Sequence, residues 1–132
     1  MTRCAPFASL PALVLVLALA LPAAAQAPLR NFPATALRGE LRVLQPPEVA
    51  INGKPGRLAP GSRIRDANNL LAMSGTLVGE KLVVHYTLDP LGQLLDVWVL
   101  TPQERGRQPW PGTPEQAQAW SFNVDAQTWS KP

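Results

Sequence analysis

His85 is the only histidine in the chain, so any reading in which an imidazole acts as base, acid or metal ligand rests on that residue. A metal on His85 would draw its remaining ligands from carboxylates, a poor donor set for zinc. A serine nucleophile would have to stand beside it. The serines beyond the leader are Ser62, Ser74, Ser121 and Ser130, and none lies in a G-x-S-x-G elbow. Asp96 is placed to face His85 across a hairpin and orient its ring, which gives a small-hydrolase reading built on His85 with Asp96. The plainer reading is a cross-strand polar pair. Glu104 and Glu115 read as helix-start residues and Asp89 as a turn residue, so no carboxylate pair for glycoside hydrolysis stands out. The glycines fall in turns, with no strand–loop–helix of nucleotide-binding type. The expectation is no catalytic residue, no metal and no cofactor.

Two other groups of residues could bind rather than react. Residues 26–65 carry seven basic and two acidic side chains, against four and seven in residues 66–132. Arg38 and Arg42 share the outward face of one expected strand, and Arg63 and Arg65 that of another. If those strands are neighbours, four guanidiniums form a patch suited to the phosphate or carboxylate oxygens of an anionic lipid or glycan. The alternative is ordinary charged strand faces that resist edge pairing. Trp110, Trp120 and Trp129 could form an aromatic platform for sugar rings or peptide prolines. The preferred reading is a lid over one end of the fold, since tryptophan is mostly buried.

The element that must position these residues is Lys81 to Leu100, two apolar and β-branched runs around Asp89-Pro90-Leu91-Gly92. Asp, Pro and Gly at those spacings specify a turn, so the stretch reads as a β-hairpin. The preferred register pairs Leu88 with Gln93. It sets Val84 against Val97, Tyr86 against Leu95 and His85 against Asp96, with Val84, Tyr86, Leu95 and Val97 buried. The alternative is a three-residue loop with a bulge at Gly92, pairing Leu88 with Leu94. A bulge between Leu94 and Val97 would allow both.

Around the hairpin, Leu37 to Leu44 alternates as a half-buried strand. Val49 to Ile51 is a second strand, followed by the hairpin turn Asn52-Gly53. Pro55-Gly56 and Pro60-Gly61 read as breaks before a short strand at Ser62 to Arg65. Leu70 to Met73 and Thr76 to Val78 follow. Thr101-Pro102-Gln103-Glu104 is a capping box, and Thr113-Pro114-Glu115-Gln116 opens a second short helix to about Trp120. The fold class expected is mainly β. It is a small single-domain, barrel-like antiparallel sheet of five to six strands with one or two short C-terminal helices. Residues 37–132 form the β domain, with 101–132 as a Trp-rich cover.

The first 25 residues read as a cleavable signal peptide. Arg3 precedes an apolar run from Leu10 to Leu21, and Ala23 to Ala25 offer a cleavage site that leaves Gln26 first. The only cysteine, Cys4, lies before the apolar run, so the chain after cleavage would have no thiol chemistry and no disulfide. Residues 26–36, with Pro28 and Pro33, read as an extended, partly disordered arm, and no transmembrane segment follows the leader. The stretch L-D-P-L-G-Q-L-L-D-V-W-V-L-T-P, with the leader and A-I-N-G-K-P, resembles uncharacterised exported proteins of Gram-negative proteobacteria. The resemblance implies a periplasmic or secreted protein and assigns no functional residue. The expected function is a non-enzymatic binding or accessory module of the cell envelope. Its partner would be an anionic lipid or glycan, or an envelope protein, and not nucleic acid, which export puts out of reach.

Overall fold

The computed structural model describes residues 3–4 and 29–132. The expected signal peptide and its cleavage point lie outside the described residues, apart from residues 3–4.

Among the described residues, eight strands and two short helices follow in chain order. The strands are β1 (Leu37–Val43), β2 (Glu48–Ile51), β3 (Lys54–Arg65), β4 (Leu71–Ala72), β5 (Lys81–Leu88), β6 (Leu94–Val99), β7 (Ser121–Asn123) and β8 (Thr128–Ser130). The helices α1 (Pro102–Arg105) and α2 (Pro114–Ala119) lie between β6 and β7, and a short 3₁₀ turn spans Ser74–Leu77. One sheet has the order β2-β1-β5-β6-β3-β4, and β2 also pairs with β3. That extra pairing closes β1, β5, β6, β3 and β2 into a barrel, with β4 added at the edge of β3. The closure is mixed, because β3 and β6 run parallel while the other barrel pairs are antiparallel. Five strands in this closed order make a Greek-key barrel of the OB-fold type.

The alternation of β1 does what its sequence dictates. Leu37, Leu41 and Val43 point inward and join Val49, Leu58, Ile64, Val84, Tyr86, Leu94 and Val97 in the barrel core. Gly39 is needed at its position: a Cβ there would lie 3.0 Å from both the Tyr86 ring and the Asn52 amide. Asn52, at φ 53°, and Gly53, at φ 78°, form the two-residue turn between β2 and β3 that their sequence specifies.

Three local expectations are corrected. The hairpin does not adopt the Leu88–Gln93 register. Leu88 pairs with Leu94 around a loop in which Gly92 has φ 78°; a bulge follows, and Tyr86 then faces Val97 while His85 faces Trp98. Asp89 favours this loop, its Oδ1 accepting from the N–H groups of Leu91 and Gln93 at 2.9 and 2.8 Å. Leu94 rather than Leu95 is therefore buried, and His85 does not pair with Asp96. Second, β3 is one long strand and not two pieces broken by its Pro-Gly pairs. Pro60 and Gly61 sit where its register against β6 shifts, between Leu58 and Arg63. The missing proline N–H interrupts no ladder bond there. Third, Thr76 to Val78 forms no strand: the 3₁₀ turn takes Thr76 and Leu77, and Val78 makes one isolated bridge to Val43.

The outer face of β5 is covered, and a second core lies between it and the carboxyl segment. Phe32, Ala36, Leu100, Trp110 and Trp129 form this core, with Val83, Trp98, Trp120 and Phe122 packed against it. Helix α1 starts with the expected capping box, Thr101 and Glu104 each serving the other's backbone N–H. Thr113 caps α2 by accepting from the Gln116 N–H at 3.2 Å. The hairpin β7–β8 completes the cover.

Candidate functional site

The second core holds His85 but does not bring Asp96 to it; Arg38 and Glu104 surround it instead. His85 is fully buried on the outer face of β5. Trp110 stacks on its ring with centroids 4.1 Å apart, and Phe32 meets it edge-on at 4.4 Å. Its Nε2 accepts a hydrogen bond from Arg38 Nε at 3.2 Å. That bond fixes the neutral tautomer with the proton on Nδ1, which is buried without a hydrogen-bond partner. Burial, and then the charge of Arg38, hold the imidazole pKa down from 6.5 to about 3.

Arg38 is not a free surface cation. β1 sets it directly across from His85. Besides the imidazole, its guanidinium donates to the carbonyl oxygens of Glu104 at 2.8 Å and Arg105 at 3.1 Å, and it lies 5.6 Å from the centre of the Trp110 ring. These are the end carbonyls of α1, so Arg38 fastens the cover to the barrel.

Glu104 is the most enclosed carboxylate described, with its side chain 1% exposed. Arg30 engages it through Nη2 at 2.6 Å and Nε at 2.9 Å, and its backbone N–H donates at 3.2 Å. The Thr101 N–H adds a bond of 3.0 Å. Burial alone would raise the Glu104 pKa; the Arg30 and Thr101 bonds outweigh it and hold the carboxyl well below its usual range. Arg30 also donates to the carbonyls of Asp66 at 3.0 Å and Val99 at 2.6 Å.

The amino-terminal arm is therefore part of the fold in its described portion, where the sequence suggests a partly disordered lead. Phe32 and Ala36 are buried. Gln127, also buried and at φ 53°, brackets Phe32: its Oε1 accepts from the Phe32 N–H at 2.7 Å, and its Nε2 donates to the Phe32 carbonyl at 3.2 Å. Trp110 Nε1 donates to the Ala36 carbonyl at 2.9 Å.

The four arginines expected to converge do not. Arg42 is exposed on β1 opposite Lys81 of β5. Arg63 and Arg65 lie on the far half of β3, opposite Asp96 and Trp98 of β6. Around the barrel, β5 and β6 stand between β1 and that half of β3. The tryptophans divide similarly. Of the three expected to form a platform, Trp110 and Trp129 are buried in the second core, while Trp120 packs against it half-exposed, with Lys131 lying 5.3 Å from its ring centre.

Arg30, Phe32 and Gln127 carry no motif, and sequence reasoning passed over them. The available signal is Arg30 and Phe32 alternating with Leu29, Asn31 and Pro33, the pattern of an extended segment with one face inward. Elsewhere, a cleft of about 400 Å³ lies between β3 and β4, lined by Ser62, Ile64, Ala72, Met73 and Ser74. Ser121 and Ser130 pair with each other in the β7–β8 hairpin, so no serine of the sequence reading belongs to the His85 cluster. Among the described residues, no group of three or more His, Cys, Asp and Glu side chains could hold a metal ion. No helix among them is long and apolar enough to cross a membrane. No family model, no curated protein and no solved structure matches the chain.

Proposed function

We propose that this protein is a non-enzymatic binding or accessory module of the cell envelope, exported to the periplasm or secreted through the leader at residues 1–25. One observation carries the non-enzymatic part. The single imidazole is fully buried between two aromatic rings and accepts from Arg38. A general base must come within hydrogen-bond reach of its substrate. His85 faces Trp98, not Asp96, which speaks against the hydrolase alternative.

Of the two kinds of partner, an envelope protein fits better than an anionic lipid or glycan. The arginines that would read phosphate or carboxylate oxygens are split between two parts of the barrel, and Arg38 is engaged internally. Barrels of this type bind oligonucleotides or oligosaccharides on the face of their second and third strands. Here β2 and β3 contain no aromatic residue for stacking, and fold likeness alone assigns no ligand.

Site-specific cross-linking tests the reading. A photoreactive group on Leu71→Cys or Asn31→Cys, introduced into an otherwise cysteine-free mature chain, should give a discrete adduct in envelope extract that excess unlabelled protein competes away. Turnover of ester, phosphate or glycoside substrates that is abolished by His85→Gln would overturn it.

A further inference from the structure

Residues 29–33 are held the way a bound peptide is held. Arg30 and Phe32 point into the fold, while Leu29, Asn31 and Pro33 point out. No β-ladder joins this segment to a strand. Its main chain is read instead by side chains of the cover and its helix. The N–H and carbonyl of Arg30 meet Glu104 Oε2 and Arg107 Nη1, at 3.2 and 2.8 Å. The N–H and carbonyl of Phe32 meet the two ends of the Gln127 amide. Such contacts recognise an extended backbone whatever its sequence, and pockets for alternate side chains add selectivity. The first pocket is charged: the Glu104 carboxylate meets the guanidinium in two parallel bonds, with the Asp66 and Val99 carbonyls completing it. The second pocket is aromatic, made by His85, Trp98 and Trp110 around the Phe32 ring.

The geometry points to a peptide-binding groove between the barrel and its cover. It is specific for an extended protein segment with arginine two residues before an aromatic, and the chain's own arm is its resident occupant. The arm meets β1 through Pro33-Ala34-Thr35, an exposed turn closed by a bond from the Ala36 N–H to the Pro33 carbonyl at 3.0 Å. The arm can swing out there while the barrel core, to which it contributes nothing, stays closed. A segment from a partner protein then takes its place. Tethering gives the arm an effective concentration on the order of millimolar, so an intact arm screens out weak ligands. This inference rests on reading the protein as a binding module and names the chemistry of its partner.

The test uses the mature chain carrying Arg30→Ala and Phe32→Ala, with the peptide of residues 29–35, L-R-N-F-P-A-T, as probe. The peptide should bind saturably, raise the melting midpoint of the variant and change the emission of the tryptophans around Phe32. Replacing its arginine or its phenylalanine by alanine should weaken binding by about thirtyfold or more, as for a hot-spot residue. Wild type should require millimolar peptide. A variant that is folded by circular dichroism yet shows no saturable binding overturns the groove. If the variant does not fold, wild type with a protease site in the Pro33–Thr35 turn replaces it. After cleavage, labelled peptide should exchange into the groove, and failure to exchange overturns the proposal equally. Either failure leaves the module reading to its own cross-linking test.

Discussion

Replacing His85 by glutamine should remove most of the pH dependence of stability between pH 7 and pH 5. The imidazole pKa is held from 6.5 down to about 3 in the folded chain. The unfolded chain therefore takes up a proton on His85 as the pH falls through 6.5, and the folded chain does not until near 3. A depressed folded pKa stabilises above the unfolded value and loses that stability as acid is added, so the loss begins near pH 6.5. At pH 5 the unfolded histidine is almost fully protonated and the folded one almost fully neutral. Linkage then gives a loss of about 2 kcal/mol on going from pH 7 to pH 5. That is a large fraction of a typical domain stability of about 5–15 kcal/mol. No other histidine titrates in this window. Glutamine offers Arg38 an oxygen acceptor without a titrating group. The assay is denaturant unfolding at both pH values on both proteins. A flat wild-type profile, or an equal fall in His85→Gln, would refute the buried neutral imidazole.

Three further outcomes follow from the packing. Val97→Ala, a large-to-small change at a fully buried position, should cost about 1–3 kcal/mol, whereas Arg105→Ala on the exposed side of α1 should stay within about 0.5 kcal/mol; equal unfolding midpoints would contradict the assigned core. Arg30→Ala strands the Glu104 carboxylate and should cost about 3–5 kcal/mol, much of it recovered in the double variant Arg30→Met, Glu104→Leu, as a double-mutant cycle of unfolding free energies would show. Gln127→Ala leaves the buried N–H and carbonyl of Phe32 without partners and should cost about 2–3 kcal/mol, with faster hydrogen exchange at the Phe32 amide as its local signature.

What was legible in the sequence is what a few adjacent residues decide. Asn52-Gly53, the Asp89–Gly92 loop, the Thr101–Glu104 box and the Thr113 cap all form where residue type requires them, because each is settled within about five positions. The inward set Val84, Tyr86 and Val97 survived for a related reason: period-two burial holds on either side of a bulge. The alternative pairing of Leu88 with Leu94 turns Leu94 inward in place of Leu95, and the bulge that follows keeps Val97 inward and puts Trp98 opposite His85; the sequence allows the loop and the bulge, but no residue in Leu94–Val97 makes them the preferred register. The continuity of β3 was hidden because Pro-Gly pairs normally punctuate; it depends on where β6 and β2 happen to pair. Arg38 looked like a surface cation because alternation reports which face of a strand it occupies. Alternation does not report that a segment more than sixty residues away covers that face.

The bonds that fix the arm link residues 36 to 95 positions apart in the chain. The hairpins, by contrast, close over a handful of residues. Loop-closure entropy grows with that separation, and contacts of long range set the slow part of folding. The barrel hairpins can form before the arm has anything to dock on, because the groove exists only once β5, β6 and α1 are assembled. That order of assembly puts docking of the arm last. A chain that assembles in that order passes through a form with a closed barrel and an empty groove. The lifetime of that form, more than the equilibrium affinity of the groove, sets how quickly another chain can enter.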